Sequence, residues 1–415
     1  MYTSLLALAL SSVAAASTQG FNYGATTRTG TVKVEADFKA EFSAAKGLAN
    51  TNGAFSNARL YTMIQGGSTN DPISAIPAAI DEDVKLMLGM WASAGSEVID
   101  NEIAALKNAI TKYGEKFTSR VNGISVGSED LYRITPTGLE NDPLSVGAGP
   151  AELASYIKKV RAAVAGTALA KIPIGHVDTW TAWQNGSNAA VIEAVDFLGM
   201  NTFPYFQTTE ANGIENGASL FRDALAITES AAKGKKVVIT ETGWPVGGKQ
   251  SSAATASIKN AKTYWDEVGC SLFGKTDVYW YTLVDANTDT EKQPQFGVVG
   301  TTLKTTPLFD LTCPVVKSTS SSSGSATITS GGASGNGSAN FTPTPSAVTL
   351  TSTLENGSVT TIRTSTTPPA VVPTGSGNGS GTGTLNIVTG ANGVVSTKTS
   401  SGKELCFHKS TYSIS

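Results

Sequence analysis

Histidine and cysteine are nearly absent from this chain, at two and three residues in 415. Ligands that sparse and scattered do not make a zinc site, and no metal or cofactor is expected. Charge is thin too, at 15% of residues with a net of −3, and lysine and arginine form no clusters. That argues against a nucleic-acid partner, which needs a basic face. No stretch has the length and apolarity of a membrane-spanning helix, so no stable membrane insertion is expected. There is no Walker loop and no Gly-x-Ser-x-Gly elbow.

What is present divides into three parts. Leu5 to Leu10 is a short apolar core followed by Val13-Ala14-Ala15-Ala16, the pattern of a secretory signal cleaved near Ala16. A secreted chain meets an oxidising compartment. Residues 17–317 have globular composition. From 318 to 415 the chain is mostly Ser, Thr, Gly, Pro and Asn. Such a stretch cannot bury enough surface to offset its ordering entropy, and it reads as a disordered, O-glycosylated stalk. Asn185 in the globular part, and Asn336, Asn340, Asn356 and Asn378 in the stalk, each begin an N-x-Ser/Thr acceptor. Cys270 and Cys313 are 313 − 270 = 43 residues apart and read as a disulfide closing the end of the globular part. Cys406 is then left over.

Within the globular part, apolar β-rich runs alternate with helical patterns. Eight strand candidates are 20–26, 58–63, 85–92, 121–128, 172–178, 196–205, 236–242 and 277–285. Between them, Ile99, Ile103, Leu106 and Ile110 recur at helical spacing, as do Leu153, Ile157, Val160 and Val164. Eight such units fit an α/β (β/α)8 TIM barrel. A doubly wound sheet is the alternative, weakened because no glycine-rich dinucleotide fingerprint follows the first strand. No helix is evident after the eighth strand.

Two of these strands end in a glutamate. Lys236-Val237-Val238-Ile239-Thr240-Glu241 is a buried-strand pattern broken by Gly243 and Pro245, and Gly123-Ile124-Ser125-Val126-Gly127-Ser128-Glu129 is a second one. In a barrel, those ends carry the catalytic groups. Two carboxyl groups about 5–5.5 Å apart are the equipment of a retaining glycosidase. Residue chemistry alone does not say which is acid and which is nucleophile. Tyr23, Tyr61, Trp91, Tyr205, Trp244 and Trp280 gather at strand ends, where rings either stack on sugar faces or pack in the core. Arg59 is a charge inside an apolar strand and is expected to pair with a carboxylate of the site. His176 and Asp178 share one face of the fifth strand; the histidine reads as structural, and Asp178 is a candidate for a sugar hydroxyl.

Thr240-Glu241-Thr242-Gly243-Trp244-Pro245, together with Val126-Gly127-Ser128-Glu129, resembles glycoside hydrolase family 17. Gly20-Phe21-Asn22-Tyr23-Gly24 and Ala58-Arg59-Leu60-Tyr61 look most like its EglC-type fungal branch. The likeness covers roughly residues 20–313. It implies a retaining endo-hydrolase of β-1,3-glucan active in fungal wall remodelling, with Glu129 as proton donor, Glu241 as nucleophile and Arg59 beside the nucleophile. A transglucosylase using the same glycosyl-enzyme, or a non-catalytic wall glucan-binding protein, are the other readings. Plant members carry Asn where this chain has Ser128. A monomer secreted to medium or wall is expected. EglC-type relatives often carry a glycosylphosphatidylinositol anchor, whereas Lys403 to Lys409 here is charged and polar and lacks the apolar tail that signal needs.

Overall fold

The computed structural model describes residues 17–144, 146–289, 291–313, 348–353 and 359–364. Eight parallel strands close into a barrel in chain order. They are β1 (Gln19–Tyr23), β2 (Asn57–Leu60), β3 (Lys85–Met90), β4 (Val121–Ser128), β5 (Ile174–Thr179), β6 (Phe197–Asn201), β7 (Lys236–Glu241) and β8 (Val278–Trp280). Closure is made by β8 on β1, with Gln19 beside Val278 and Phe21 beside Trp280. The strand–helix alternation in the sequence therefore resolves as the barrel, and the doubly wound sheet is set aside.

Helices α1 (Glu35–Lys46), α2 (Ala75–Glu82), α3 (Ser96–Tyr113), α4 (Pro150–Val164), α5 (Ala189–Ala194), α6 (Ile214–Ala232) and α7 (Ile258–Tyr264) surround the strands. In α3, Ile99, Ile103 and Leu106 are buried, joined by Ala105 and Ala109 on the same stripe. Gly114, at φ 54°, ends that helix. In α4, Leu153, Ile157, Val160 and Val164 are buried, and Pro150 occupies the first turn, where its missing N–H costs nothing.

After β8 no helix follows among the described residues. Instead α7 runs through a π-helical turn, Trp265–Gly269, into a last turn, Cys270–Leu272. Trp265 stacks there with Phe55, Phe273 and Trp280, and its indole N–H donates to the Leu311 carbonyl at 3.1 Å. The returning segment is bonded to the α1 side as well, through Ala49 N–H to the Thr305 carbonyl. Cys270 and Cys313 form the expected disulfide, with Cα atoms 5.3 Å apart.

Inside the barrel, Met87, Phe197, Val238 and Tyr279 form a separate apolar cluster. Strands β3, β6, β7 and β8 contribute them, and β3 can meet the other three only across the lumen. Gly175 makes room: a Cβ there would stand 2.5 Å from the Phe197 ring.

Two further strands, Val348–Thr353 and Val359–Thr364, pair antiparallel within the Ser/Thr-rich segment. Their Val/Thr-rich sequences suit extended pairing. The signal segment, Cys406, and the acceptors Asn336, Asn340, Asn356 and Asn378 lie outside the described residues. Asn185 is exposed, and its side chain caps a short 3-10 turn by accepting from Ser187 N–H.

Candidate active site

Strands β4 and β7 both deliver a glutamate to the mouth of the barrel. At the end of β4, Gly127 has φ 84° and Glu129 φ 61°, both left-handed. A Cβ at position 127 would lie 2.1 Å from the Asp130 carboxylate, so glycine is required. The Glu129 backbone N–H donates to the Val177 carbonyl at 2.8 Å, and a short helix, Asp130–Arg133, starts on it. A left-handed glutamate costs on the order of 1–3 kcal/mol, the kind of strain found at functional sites.

On β7, strict alternation would send Thr240 and Glu241 to opposite faces. The pairing with β6 slips at this point, setting Asn201 beside Glu241. Thr240 Oγ1 donates to Asn201 Oδ1 at 2.8 Å, and the Asn201 amide donates to Glu129 Oε1 at 3.0 Å. Asn201 therefore links the two glutamate strands.

Arg59 is fully buried on β2. One guanidinium nitrogen donates to Glu241 Oε1 at 2.5 Å and to Asn22 Oδ1 at 2.8 Å; the other donates to Ser128 Oγ at 2.9 Å. The Tyr61 hydroxyl donates to the same Glu241 oxygen at 3.0 Å, and its ring lies 4.8 Å from the guanidinium. Asn22 is oriented in turn by its amide, which donates to the Tyr279 carbonyl at 3.2 Å. Ser128 thus faces Arg59 across the mouth.

Glu129 keeps a window onto solvent, yet the protein around it is dense. Burial first, and then the charge of Glu241, push its carboxyl up to about 7; the Asn201 amide and the Arg133 charge pull the other way. Such a carboxyl can hold a proton near neutrality. Tyr281 also feels both glutamates, and burial raises its phenol well above the ordinary range.

The structure brings Glu129, Glu241, Arg59 and Tyr61 together. Trp91 is half-buried at the rim beneath the Arg133 guanidinium, 5.6 Å from its ring centroid. The other residues named for sugar contact sit elsewhere. Tyr23 points out of the barrel onto Phe42, and Trp280 points out onto Trp265. Trp244 is buried between Tyr205 and Tyr264, its indole N–H on the Thr255 carbonyl. Tyr205 is fully buried and gives its hydroxyl to the Lys249 carbonyl. Asp178 is fully buried on the outer face of β5 and accepts from the backbone of Leu131, Tyr132 and Thr179. For these five the expectation of sugar contact is corrected: all are buried, the four rings are covered by neighbouring aromatic side chains, and the Asp178 carboxylate is taken up by backbone N–H groups.

Several residues at the mouth gave no signal as motifs. Asn22 and Asn201 are neutral amides. Tyr281 and Phe203 are half-buried and meet edge-to-face at 5.6 Å. Alternation along β8 could have found Tyr281, because Trp280 and Tyr281 are adjacent and cannot share a face. Glu102, buried on α3, accepts from Thr62 Oγ1 at 2.5 Å and from Met63 N–H at 2.6 Å. It thereby anchors the loop that presents Tyr61. Burial pushes its carboxyl up to about 7, against those hydrogen bonds and one from the Trp91 backbone.

Among the described residues no cluster of His, Cys, Asp and Glu could hold a metal ion, and no helix is long and apolar enough to cross a membrane. The chain is similar to known proteins. A family model described as the BtgE/BtgC glycoside hydrolase domain matches residues 20–300. A protein of Aspergillus oryzae named "Probable glucan endo-1,3-beta-glucosidase eglC" is 59% identical over 312 residues, covering 75% of this chain and 66% of its own. The Aspergillus fumigatus protein of the same name is 58% identical over 313 residues, 75% of this chain and 69% of its own. The chain therefore spans about two thirds of the length of these curated relatives. Among solved structures, a glycoside hydrolase family 17 β-1,3-glucanosyltransferase from Rhizomucor miehei is 26% identical with a TM-score of 0.58, covering 71% of this chain and 98% of its own.

Proposed function

The chain belongs to the BtgE/BtgC glycoside hydrolases of family 17, and on that premise we propose that it cleaves internal linkages of β-1,3-glucan with retention of configuration. The observation that carries this reading is the unequal environment of the two glutamates. Glu129, raised to about 7 by burial and by Glu241, is suited to hold a proton. Glu241 receives donors from Arg59 and Tyr61 on one oxygen, contacts that suit an acceptor-only carboxylate. Environments that differ in this way support Glu129 as the acid and Glu241 as the nucleophile.

In the first half-reaction Glu129 donates its proton to the glycosidic oxygen. The bond from that oxygen to C1 breaks while a Glu241 oxygen bonds to C1, giving a glycosyl-enzyme. Arg59 and Tyr61 hold the attacking carboxylate in place, and Arg59 also ties it to Asn22 and Ser128. In the second half-reaction the Glu129 carboxylate takes a proton from water as the water oxygen attacks C1, and Glu241 leaves as a carboxylate. The half-exposed rings of Tyr61, Trp91, Phe203 and Tyr281 supply faces for the sugar on either side.

A second reading is favoured by the glucanosyltransferase likeness: a glucan hydroxyl replaces water in the second step, and the product is a longer chain. The site of action is the fungal wall or medium, reached by secretion as a glycosylated monomer. Incubation with linear β-1,3-glucan followed by product sizing tests both readings. Short oligomers are expected; products longer than the input mean transfer, and no change in size defeats the proposal.

A further inference from the structure

His176 is fully buried, and both of its ring nitrogens face acceptors. Nδ1 lies 2.6 Å from the Val126 carbonyl oxygen, which has no proton to give. Nε2 lies 3.0 Å from Asp178 Oδ2. That carboxylate already takes three backbone N–H groups: Leu131 on Oδ2, Tyr132 and Thr179 on Oδ1. It is an acceptor at every contact. A neutral imidazole has one N–H and would leave one of the two ring contacts as acceptor against acceptor. Only the imidazolium donates to both.

We propose that His176 is a permanently protonated imidazolium and a positioning residue for the proton donor Glu129. It bonds the β4 backbone just before Gly127 and fixes Asp178, which clamps the turn just after Glu129. The left-handed glutamate is thus held from both sides by one cation–carboxylate pair. A second acidic side chain stands beside the pair: Asp130, fully buried, accepts from Ser93 Oγ at 2.5 Å. The same pocket over Gly127 is lined by Asp130 Oδ2 and the His176 Cε1 edge. The Trp183 ring covers the imidazole edge-to-face at 5.6 Å. The titratable and charged groups around this unit are Asp178 on β5 itself, Asp130, Glu129 and Arg133 on the turn after β4. Burial pulls the His176 pKa down, but Asp178 and then Asp130 pull harder, and the net is a rise. Asp130 is raised as well, burial outweighing the attraction of His176.

The charge of His176 stands independently of the reaction; its role as a positioning residue rests on the reading of Glu129 as the acid. The chain has only two histidines, His176 and His408, which makes a direct test simple. With 15N-histidine labelling of the whole protein, His176 is assigned by the signals that persist in His408→Gln. Two N–H groups with imidazolium nitrogen shifts, unchanged from pH 5 to 8, are expected. A single N–H, or titration near the ordinary value of about 6.5, overturns the proposal even if no variant folds. For the second part, kcat/KM, which reports the glycosylation half-reaction, is compared on β-1,3-glucan and on an aryl laminarioside whose phenol leaves without protonation. His176→Gln is expected to lower kcat/KM about 10- to 100-fold on glucan, the scale of a misplaced general acid, and less than about 3-fold on the aryl substrate. Equal losses on both mean a merely structural residue. Glu129→Gln serves as control: if it shows no such leaving-group dependence, the assignment of the acid has failed, and not the placement of His176.

Discussion

Replacing Glu241 with Gln removes the charge that faces Glu129 while keeping its shape. Glu129 is pushed up to about 7 from an ordinary 4.5. Burial is the larger cause and Glu241 the next. Two carboxylates at a separation of about 5.5 Å, typical of retaining sites, repel by roughly 332/(20 × 5.5) ≈ 3 kcal/mol at an effective dielectric of about 20. That corresponds to roughly 2 pKa units, an upper figure because burial must remain the larger share. Glu241→Gln should therefore lower the Glu129 pKa by about one to two units and leave it above 4.5. The assay is a carbon-13 titration of carboxyl carbons in glutamate-labelled protein, with Glu129 assigned through Glu129→Gln. An unchanged pKa would show that the pair is not coupled. A fall all the way to 4.5 would show that burial does no more than offset the Asn201 hydrogen bond and the Arg133 charge.

Arg59→Ala strands a buried carboxylate at Glu241 and should cost about 3–5 kcal/mol of stability in urea denaturation; an undiminished midpoint refutes the pairing. For Glu102, burial raises the folded-state carboxyl to about 7, so its contribution is full below the unfolded value of about 4.3 and is lost as pH rises through 7. Wild-type stability should then fall between pH 5 and pH 8 more than that of Glu102→Gln, which mimics the protonated acid; equal slopes refute the assignment. Cys270→Ser with Cys313→Ser opens a loop of 43 residues, worth about 4 kcal/mol by chain-entropy reasoning; a denaturation midpoint indistinguishable from wild type would show that packing of Trp265 alone holds that end.

The barrel could be read from the chain because its strands are buried on both faces and appear as short apolar runs, while its helices show a 3.6 period. The glutamates stood out because each ends such a run, and Arg59 because it is a charge within one. The rings were harder. Tyr23, Trp280 and Tyr281 all lie in or just beyond the strands of one seam, and only the phase of alternation separates the outward pair from the one at the mouth. Near Glu241 that phase is itself broken by the β6–β7 slip, which no local composition announces. Glu102 looked like any helix charge, because what makes it special is a backbone 39 residues away in sequence. The missing eighth helix was half visible: no apolar period follows β8, but the aromatic packing that replaces it depends on residues from β1 to Leu311.

The apolar plug of Met87, Phe197, Val238 and Tyr279 also dictates how a polymer can approach. With the bore stopped beneath the glutamates, no strand can thread through the protein or be reeled in from its far side. A long glycan can only drape across the open end, entering and leaving on the same face. The packed bore thus leaves the mouth as the face where substrate enters and products depart.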